Sequence, residues 1–142
     1  GGQWIMDVFF NMSSVQAAAL DIGLLVILMF GLKTYVAINR GKHRVPSGDT
    51  SHLEFNRATR VQLNAVEDVP VLMVGIAVLA MLGMPAWYIH MAGWVLLVSR
   101  IAHAFGLASS SGQSIGRAVG TMGTALVYLA VAGALLVHAF TP

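Results

Sequence analysis

The chain has 142 residues, of which 57% are hydrophobic and only 10% are charged, and its mean hydropathy is +0.76. This composition excludes an ordinary soluble domain, and a net charge of +2 is far from the dense basic surface that nucleic-acid binding requires. The chain contains no cysteine, which rules out disulfides, iron–sulfur ligation and a thiol nucleophile from the protein itself. The sequence therefore predicts an all-α integral membrane protein.

Four apolar segments are long enough to cross a bilayer, because a hydrocarbon core of about 30 Å requires roughly 20 helical residues. The predicted spans are residues 15–38, 57–82, 85–107 and 118–140. They form one membrane domain over residues 1–142, a four-transmembrane-helix bundle in which the turn at residues 83–85 joins the second and third spans. Residues 41–55 are predicted to form a polar loop long enough to fold over a site. The five residues before Met6 are interpreted as a cloning remnant, and no signal-peptide pattern follows them.

The basic residues predict the orientation of the spans. Lysine and arginine cluster around the first loop, an arginine follows the third, and the second loop and the C-terminal tail contain neither. By the positive-inside rule, the first and third loops face the cytoplasm and both termini face the opposite side. The expected location is a bacterial-type inner membrane, with the site on its cytoplasmic side.

The second predicted span begins with a polar stripe in the stretch TRVQLNAVEDVP, residues 59–70. Arg60, Asn64 and Glu67 follow the spacing i, i+4, i+7 and share one helical face, with Asp68 at its edge. Arg60 and Glu67 are about 10 Å apart along the axis, too far for a direct salt bridge, so each needs another partner. That partner is either another helix or a zwitterionic ligand. Because a charge at mid-membrane costs about 2.5–3.5 kcal/mol on insertion scales, the cluster of charges disfavours a purely architectural role.

The third predicted span carries a second polar set. Arg100 and His103 are three residues apart, so they point to one side, near the same membrane surface as Arg60. The two polar stripes can therefore face one another. His90 and His138 are interpreted as interfacial residues near the opposite surface. A GxxxG spacing in the fourth span indicates close helix contact and carries no information about substrate.

The pattern R-x-x-x-N-x-x-E-x-x-P from Arg60, followed by R-x-x-H from Arg100, resembles the MAPEG family, the membrane-associated proteins in eicosanoid and glutathione metabolism. The resemblance extends over nearly the whole chain, including the four spans, the long basic first loop and the tight second connection. It implies a homotrimer of four-helix subunits with glutathione bound between neighbouring subunits. It implies no metal.

The resemblance also implies roles for the polar residues. Arg60 would bind a peptide carboxylate, Asn64 would donate and accept hydrogen bonds, and Glu67 would bind the α-amino group. Arg117 is similar to the arginine that stabilises the glutathione thiolate in relatives, and His103 is the second predicted catalytic residue. The other predicted glutathione-binding residues are Arg40, Gln62, Asp68 and Arg100, together with His103.

The implied activity is that of a membrane glutathione transferase, with glutathione as co-substrate. The thiolate would attack a lipophilic electrophile that enters from the membrane lipid, and a glutathione-dependent peroxidase reaction on lipid hydroperoxides would be a related activity. Several eicosanoid synthases of the family have a tyrosine where this chain has Leu107, and some have an aromatic residue at the position of Asp68. These departures disfavour eicosanoid-specific synthesis.

Three alternatives remain open at the level of the sequence. A small proton-coupled multidrug transporter would use Glu67 or Asp68, although the accompanying arginines disfavour a cationic substrate. A haem or quinone protein would use the histidines, although no two of them are level across two predicted helices. A non-catalytic MAPEG-like binding protein would show the same motifs.

Overall fold

The computed structural model describes residues 1–43, 53–109 and 115–141. Within these residues the chain forms the helices α1 (Gln3–Phe10), α2 (Ser14–His43), α3 (Leu53–Met81), α4 (Ala86–Ser109) and α5 (Ile115–Phe140). The helices α2 to α5 are each long and apolar enough to cross a membrane. They match the four predicted spans to within one residue where the turn at residues 83–85 separates α3 and α4, so the predicted all-α membrane fold with four transmembrane helices is confirmed.

The long helices extend beyond the predicted spans. Helix α2 continues to His43 and α3 begins at Leu53, so both ends of the segment predicted as a loop, residues 41–55, are helical. Thirty helical residues measure about 45 Å, which exceeds a hydrocarbon core of about 30 Å, so the polar ends of these helices continue past it. The rest of that predicted loop, residues 44–52, lies outside the described residues. Helix α1 was not predicted.

The helices pack so that α3 and α4 are central. Each of these two helices contacts all three of the other long helices, whereas α2 packs against α3 and α4 from one side and α5 packs against them from the other. The largest fully buried side chains lie along the shared interface: Leu25, Leu72, Ile76, Leu79, Ile89, Leu96, Val69 and Val127. Many large apolar side chains point outward, as expected of helices that face lipid.

The tight turn between α3 and α4 confirms the prediction made for residues 83–85. Gly83 has φ +86°, the left-handed conformation that glycine adopts without steric cost. The Met84 amide donates to the Leu79 carbonyl at 3.0 Å, and the Gly83 amide donates to the Ala80 carbonyl at 3.1 Å. These two bonds form a Schellman motif, which ends α3 and satisfies its last carbonyls.

A seam of glycines brings α5 close to α4. A Cβ atom added at Gly116 would lie 2.7 Å from the Ala102 carbonyl oxygen, and one added at Gly120 would lie 2.6 Å from the Ser99 carbonyl oxygen. The same atom at Gly120 would collide with the His103 Cβ. The predicted close helix contact is therefore confirmed, and it places the first turns of α5 beside the end of α4 that carries His103.

Candidate ligand-binding site

A buried arginine joins three helices in the half of the bundle that contains the polar stripes. Arg100, on α4, is only 2% exposed. Its Nη1 donates to Asp68 Oδ2 at 3.4 Å and to Thr124 Oγ1 at 3.3 Å. Its Nη2 donates to Asn64 Oδ1 and lies 3.5 Å from His103 Nδ1. Asn64 and Asp68 of the second-span stripe thus face Arg100 of the third span, as the sequence predicted, whereas Arg60 and Glu67 do not.

The fourth span contributes two residues that the sequence analysis missed. Thr124 and Tyr128 are four residues apart on α5 and therefore share one face. The Tyr128 hydroxyl donates to Asp68 Oδ1 at 2.7 Å, so each carboxylate oxygen of Asp68 accepts a hydrogen bond from a different helix. We refer to these residues as the Arg100 cluster; its members are Asn64, Asp68, Arg100, His103, Thr124 and Tyr128. The only sequence signal for the last two was their i, i+4 spacing within an otherwise apolar helix.

A second face of α3 carries two charged side chains that are not hydrogen-bonded or ion-paired in the part of the chain that the structure describes. Arg60 and Glu67 are both exposed, and within the described residues neither forms a hydrogen bond or an ion pair. At about 100° per residue, Asn64 lies about 40° around the helix from Arg60 and about 40° from Asp68. Asn64, which is half-buried, therefore lies at the boundary between the Arg100 cluster and the exposed charged face.

The depth of Glu67 makes its exposure significant. Glu67 is fourteen residues from Met81, where α3 ends at the tight turn, which corresponds to about 21 Å along the axis. With a hydrocarbon core of about 30 Å beginning near that turn, the carboxylate lies within the core. A charged group that faces hydrocarbon costs several kcal/mol, so this face is unfavourable in contact with lipid.

The remaining predicted site residues lie at the same end of the bundle. Arg117, in the first turn of α5, is half-buried and close enough to His103 to act on it electrostatically. Arg40 is exposed near the end of α2, with its guanidinium 5.1 Å from the centre of the Phe55 ring. Gln62 is half-buried on α3. The side chain of Leu107 lies outside the described residues.

An apolar groove runs beside the polar stripes, between α2, α3 and α4. Its volume is about 410 Å³. The lining residues are Leu28, Leu32, Tyr35, Val61, Ile101, Ala104 and Phe105. Val61 follows Arg60 directly and Ile101 follows Arg100, so the groove lies at the membrane depth of the charged residues. A lipophilic molecule could enter it from the bilayer without crossing water.

A separate polar pair lies towards the other end of the bundle. His90 Nδ1, on α4, lies 2.9 Å and 3.1 Å from the two carboxylate oxygens of Asp21, on α2, and the Asp21 side chain is 1% exposed. The Phe9 ring of α1 stacks on the imidazole at a centroid distance of 5.0 Å. The interpretation of His90 as an interfacial residue missed this pair, because the partner is on another helix. His138 contacts Met84, with Nε2 3.2 Å from Sδ.

Comparisons with known proteins agree with the membrane fold. The family model described as the MAPEG family matches residues 18–137, which include every residue of the candidate site. The inner membrane protein YecN of Escherichia coli strain K12 is 34% identical over 91 residues, covering 64% of this chain and 70% of YecN. YecN of Escherichia coli O6:H1 strain CFT073 is similar to the same extent. In all three comparisons the similarity is to a membrane protein or to a family of them.

Proposed function

Because the chain belongs to the MAPEG family, we propose that it is a membrane glutathione transferase that conjugates the glutathione thiolate to lipophilic electrophiles. One observation carries the proposal. Arg60 and Glu67 are exposed on one face of α3, on either side of Asn64 along the axis, and neither forms a hydrogen bond or an ion pair with the described residues of the subunit. A pair of opposite charges held apart in this way is complementary to a zwitterionic ligand.

The spacing of the charges supports a tripeptide ligand. Arg60 and Glu67 are about 10 Å apart along α3. An extended chain of three residues spans about 10–11 Å, so a carboxylate at one end can pair with Arg60 while the amine at the other pairs with Glu67. Asn64 lies between them and can hydrogen-bond the peptide groups. Glutathione has an amine at its γ-glutamyl end, beside a second carboxylate, and the glycine carboxylate at its other end.

A homotrimer would complete the site. The exposed charged face of α3 cannot remain in contact with hydrocarbon at the depth of Glu67, and covering it with a second copy of the chain would enclose the ligand between subunits. We propose that Arg40, on α2, and Gln62, which points away from the Arg60 and Glu67 face of α3, contact glutathione bound at a neighbouring subunit. The contact of Arg60 with the ligand carboxylate and the contact of Glu67 with the ligand amine come from one and the same subunit.

The proposed chemistry is thiolate attack. A free thiol has a pKa of about 8.5, so glutathione is mostly protonated at neutral pH, and a guanidinium beside the sulfur stabilises the charged form. Arg117 supplies that guanidinium, with His103 as the neighbouring hydrogen-bonding group. The sulfur forms a bond to an electrophilic carbon, the leaving group departs with the electron pair, and the thiol proton passes to solvent. The apolar groove between α2, α3 and α4 offers a place for the lipophilic substrate.

The test is a titration of the purified protein in detergent with glutathione, in which binding and the ultraviolet absorbance of the thiolate are both measured. We expect Glu67→Gln to weaken binding at least about tenfold, the effect of losing a charge-assisted contact of about 1.5 kcal/mol or more. We expect Arg117→Ala to bind glutathione without ionising it. Lys33→Gln, which removes an exposed cation outside the site, is the matched control and should behave as the wild type.

Absence of glutathione binding to the wild type would refute the proposal. In that case the carboxylate of Glu67 would remain the candidate for proton-coupled transport, because Asp68 already accepts hydrogen bonds from Tyr128 and Arg100. Proton-linked efflux from vesicles that contain the protein measures that alternative directly.

A further inference from the structure

The Arg100 cluster links the ligand-binding face of α3 to the helix that carries Arg117. We infer that Asp68, Thr124 and Tyr128 are positioning residues: they hold Arg100 and α5 in the register that places Arg117 at the thiol, and they do not themselves contact glutathione. This inference rests on the proposed function. It also gives Asp68 and Arg100 a role that differs from the direct glutathione contact expected from the sequence.

The hydrogen bonds of Asp68 and Arg100 support this division of roles. Asp68 Oδ1 accepts from Tyr128 and Oδ2 accepts from Arg100, so both carboxylate oxygens are already engaged within the subunit. Both terminal nitrogens of Arg100 are likewise engaged, and its side chain is 2% exposed. These groups face the interior of the subunit, whereas Arg60 and Glu67 face outward.

Asn64 is the residue through which the cluster reaches the ligand. Arg100 Nη2 donates to Asn64 Oδ1, which fixes which end of the side-chain amide points inward. The Asn64 NH₂ group is therefore directed away from Arg100, and its donors are available to carbonyl or carboxylate oxygens of a ligand. Without the arginine the amide could rotate and present either end. Arg100 therefore fixes the orientation of the Asn64 amide in which Asn64 donates hydrogen bonds to the ligand.

Two contact points fix α5 relative to α3 and α4. Close to its start, Gly120 packs against His103 and the Ser99 carbonyl. One turn further along Thr124 binds Arg100, and a second turn further Tyr128 binds Asp68. A straight helix held at two levels cannot rotate or slide without breaking one of these contacts. Arg117 precedes Gly120 by less than one turn, so its position relative to α3 depends on both.

The experiment compares two tyrosine-to-phenylalanine variants that each lose one hydrogen bond to or from α5. Tyr128→Phe removes the donor to Asp68, whereas Tyr88→Phe removes a donor to the Ala130 carbonyl of similar length, 2.8 Å, outside the cluster. The measurements are the glutathione KM, the kcat with a chlorodinitrobenzene as electrophile, and the pH profile of thiolate absorbance. In this reaction the sulfur–carbon bond forms, the carbon–chlorine bond breaks and chloride leaves.

We expect Tyr128→Phe to lower kcat about ten- to hundredfold, because a small misplacement of a catalytic group has effects of this size. Its thiolate pH profile should move to higher pH, and its KM for glutathione should stay within about threefold of the wild type, since the exposed charges on α3 are unchanged. Tyr88→Phe should retain the wild-type kcat and pH profile.

A second pair of variants tests the inference if Tyr128→Phe does not fold. Thr124→Val removes the hydroxyl that accepts from Arg100 at nearly constant volume, and Thr124→Ser keeps it. The serine variant should restore the kcat that the valine variant loses. Equal kcat values and pH profiles for Tyr128→Phe and Tyr88→Phe, or for the two Thr124 variants, would overturn the inference while leaving the transferase proposal in place. A wild type that neither binds nor conjugates glutathione would overturn both.

Discussion

Replacing Arg100 by methionine removes the cation that contacts Asp68 while keeping a long unbranched side chain at the centre of the bundle. The arginine is 2% exposed and donates to groups on α3 and α5, so no solvent is available to replace these contacts. Removing one partner of a buried ion pair costs about 3–5 kcal/mol because the other charge is left uncompensated. Because the Asp68 side chain is 26% exposed, the expected loss in the free energy of unfolding lies near the lower end of this range, at about 3 kcal/mol.

The free energy of unfolding lost in Arg100→Met should exceed the loss caused by removing any neutral hydrogen bond between the helices. Interhelical hydrogen bonds in membrane proteins contribute on average about 0.6 kcal/mol in double-mutant cycles. Tyr88→Phe, which removes the bond from α4 to the Ala130 carbonyl, should therefore destabilise the protein several-fold less than Arg100→Met. Lys33→Met is the matched control for the loss of a cation, because Lys33 is exposed on α2, and it should change stability by no more than about 0.5 kcal/mol.

The assay is unfolding in mixed micelles with an increasing fraction of a denaturing detergent, followed by circular dichroism. The double variant Arg100→Met with Asp68→Asn should be more stable than Arg100→Met alone, since neutralising the carboxylate removes the uncompensated charge. If Arg100→Met unfolds at the same detergent fraction as Lys33→Met, or if Asp68→Asn gives no recovery, the cluster does not stabilise the bundle in the way described.

Two further predictions concern other contacts of the fold. Asp21→Ala leaves the buried Nδ1 of His90 without its partner, so the free energy of unfolding should fall by about 1–3 kcal/mol in the same assay; an unchanged value would show that the pair does not stabilise the bundle. Gly120→Ala should separate α4 from α5 and destabilise the protein by about 1–3 kcal/mol, because the added methyl group collides with His103. Gly133→Ala is its control: nothing lies within 4 Å of the added carbon, and equal effects of the two substitutions would contradict the close contact.

The sequence was sufficient to predict the four spans because the length of an apolar segment is set by the thickness of the bilayer. It also predicted that the stripe with Asn64 would face Arg100, since polar groups within the membrane are expected to turn towards one another. The boundaries were less accurate: α2 and α3 continue into residues that were interpreted as loop. Polar composition near a membrane surface does not end a helix, because the backbone hydrogen bonds there are equally satisfied.

The pairs that the sequence did not predict have a common cause. Tyr128 and Asp68 are on different helices, as are Asp21 and His90, and each pair depends on the rotation and register of those helices. A single hydroxyl or imidazole in an apolar span has little influence on hydropathy, so its presence does not indicate a partner. Asp68 was visible as a charge, but the donors on α5 that engage it were not.

The division of α3 into two polar faces connects the stability of the subunit with its proposed activity. Towards the interior, Asp68 is neutralised by Arg100 and needs nothing from outside the subunit. Towards the exterior, Arg60 and Glu67 form no hydrogen bond or ion pair with the described residues, and the depth of Glu67 makes that state unfavourable in lipid. Asn64 belongs to both faces, since its oxygen is held by Arg100 and its nitrogen is directed elsewhere. The Arg100 cluster therefore leaves the outer charges available for the ligand and the neighbouring copy of the chain that we propose.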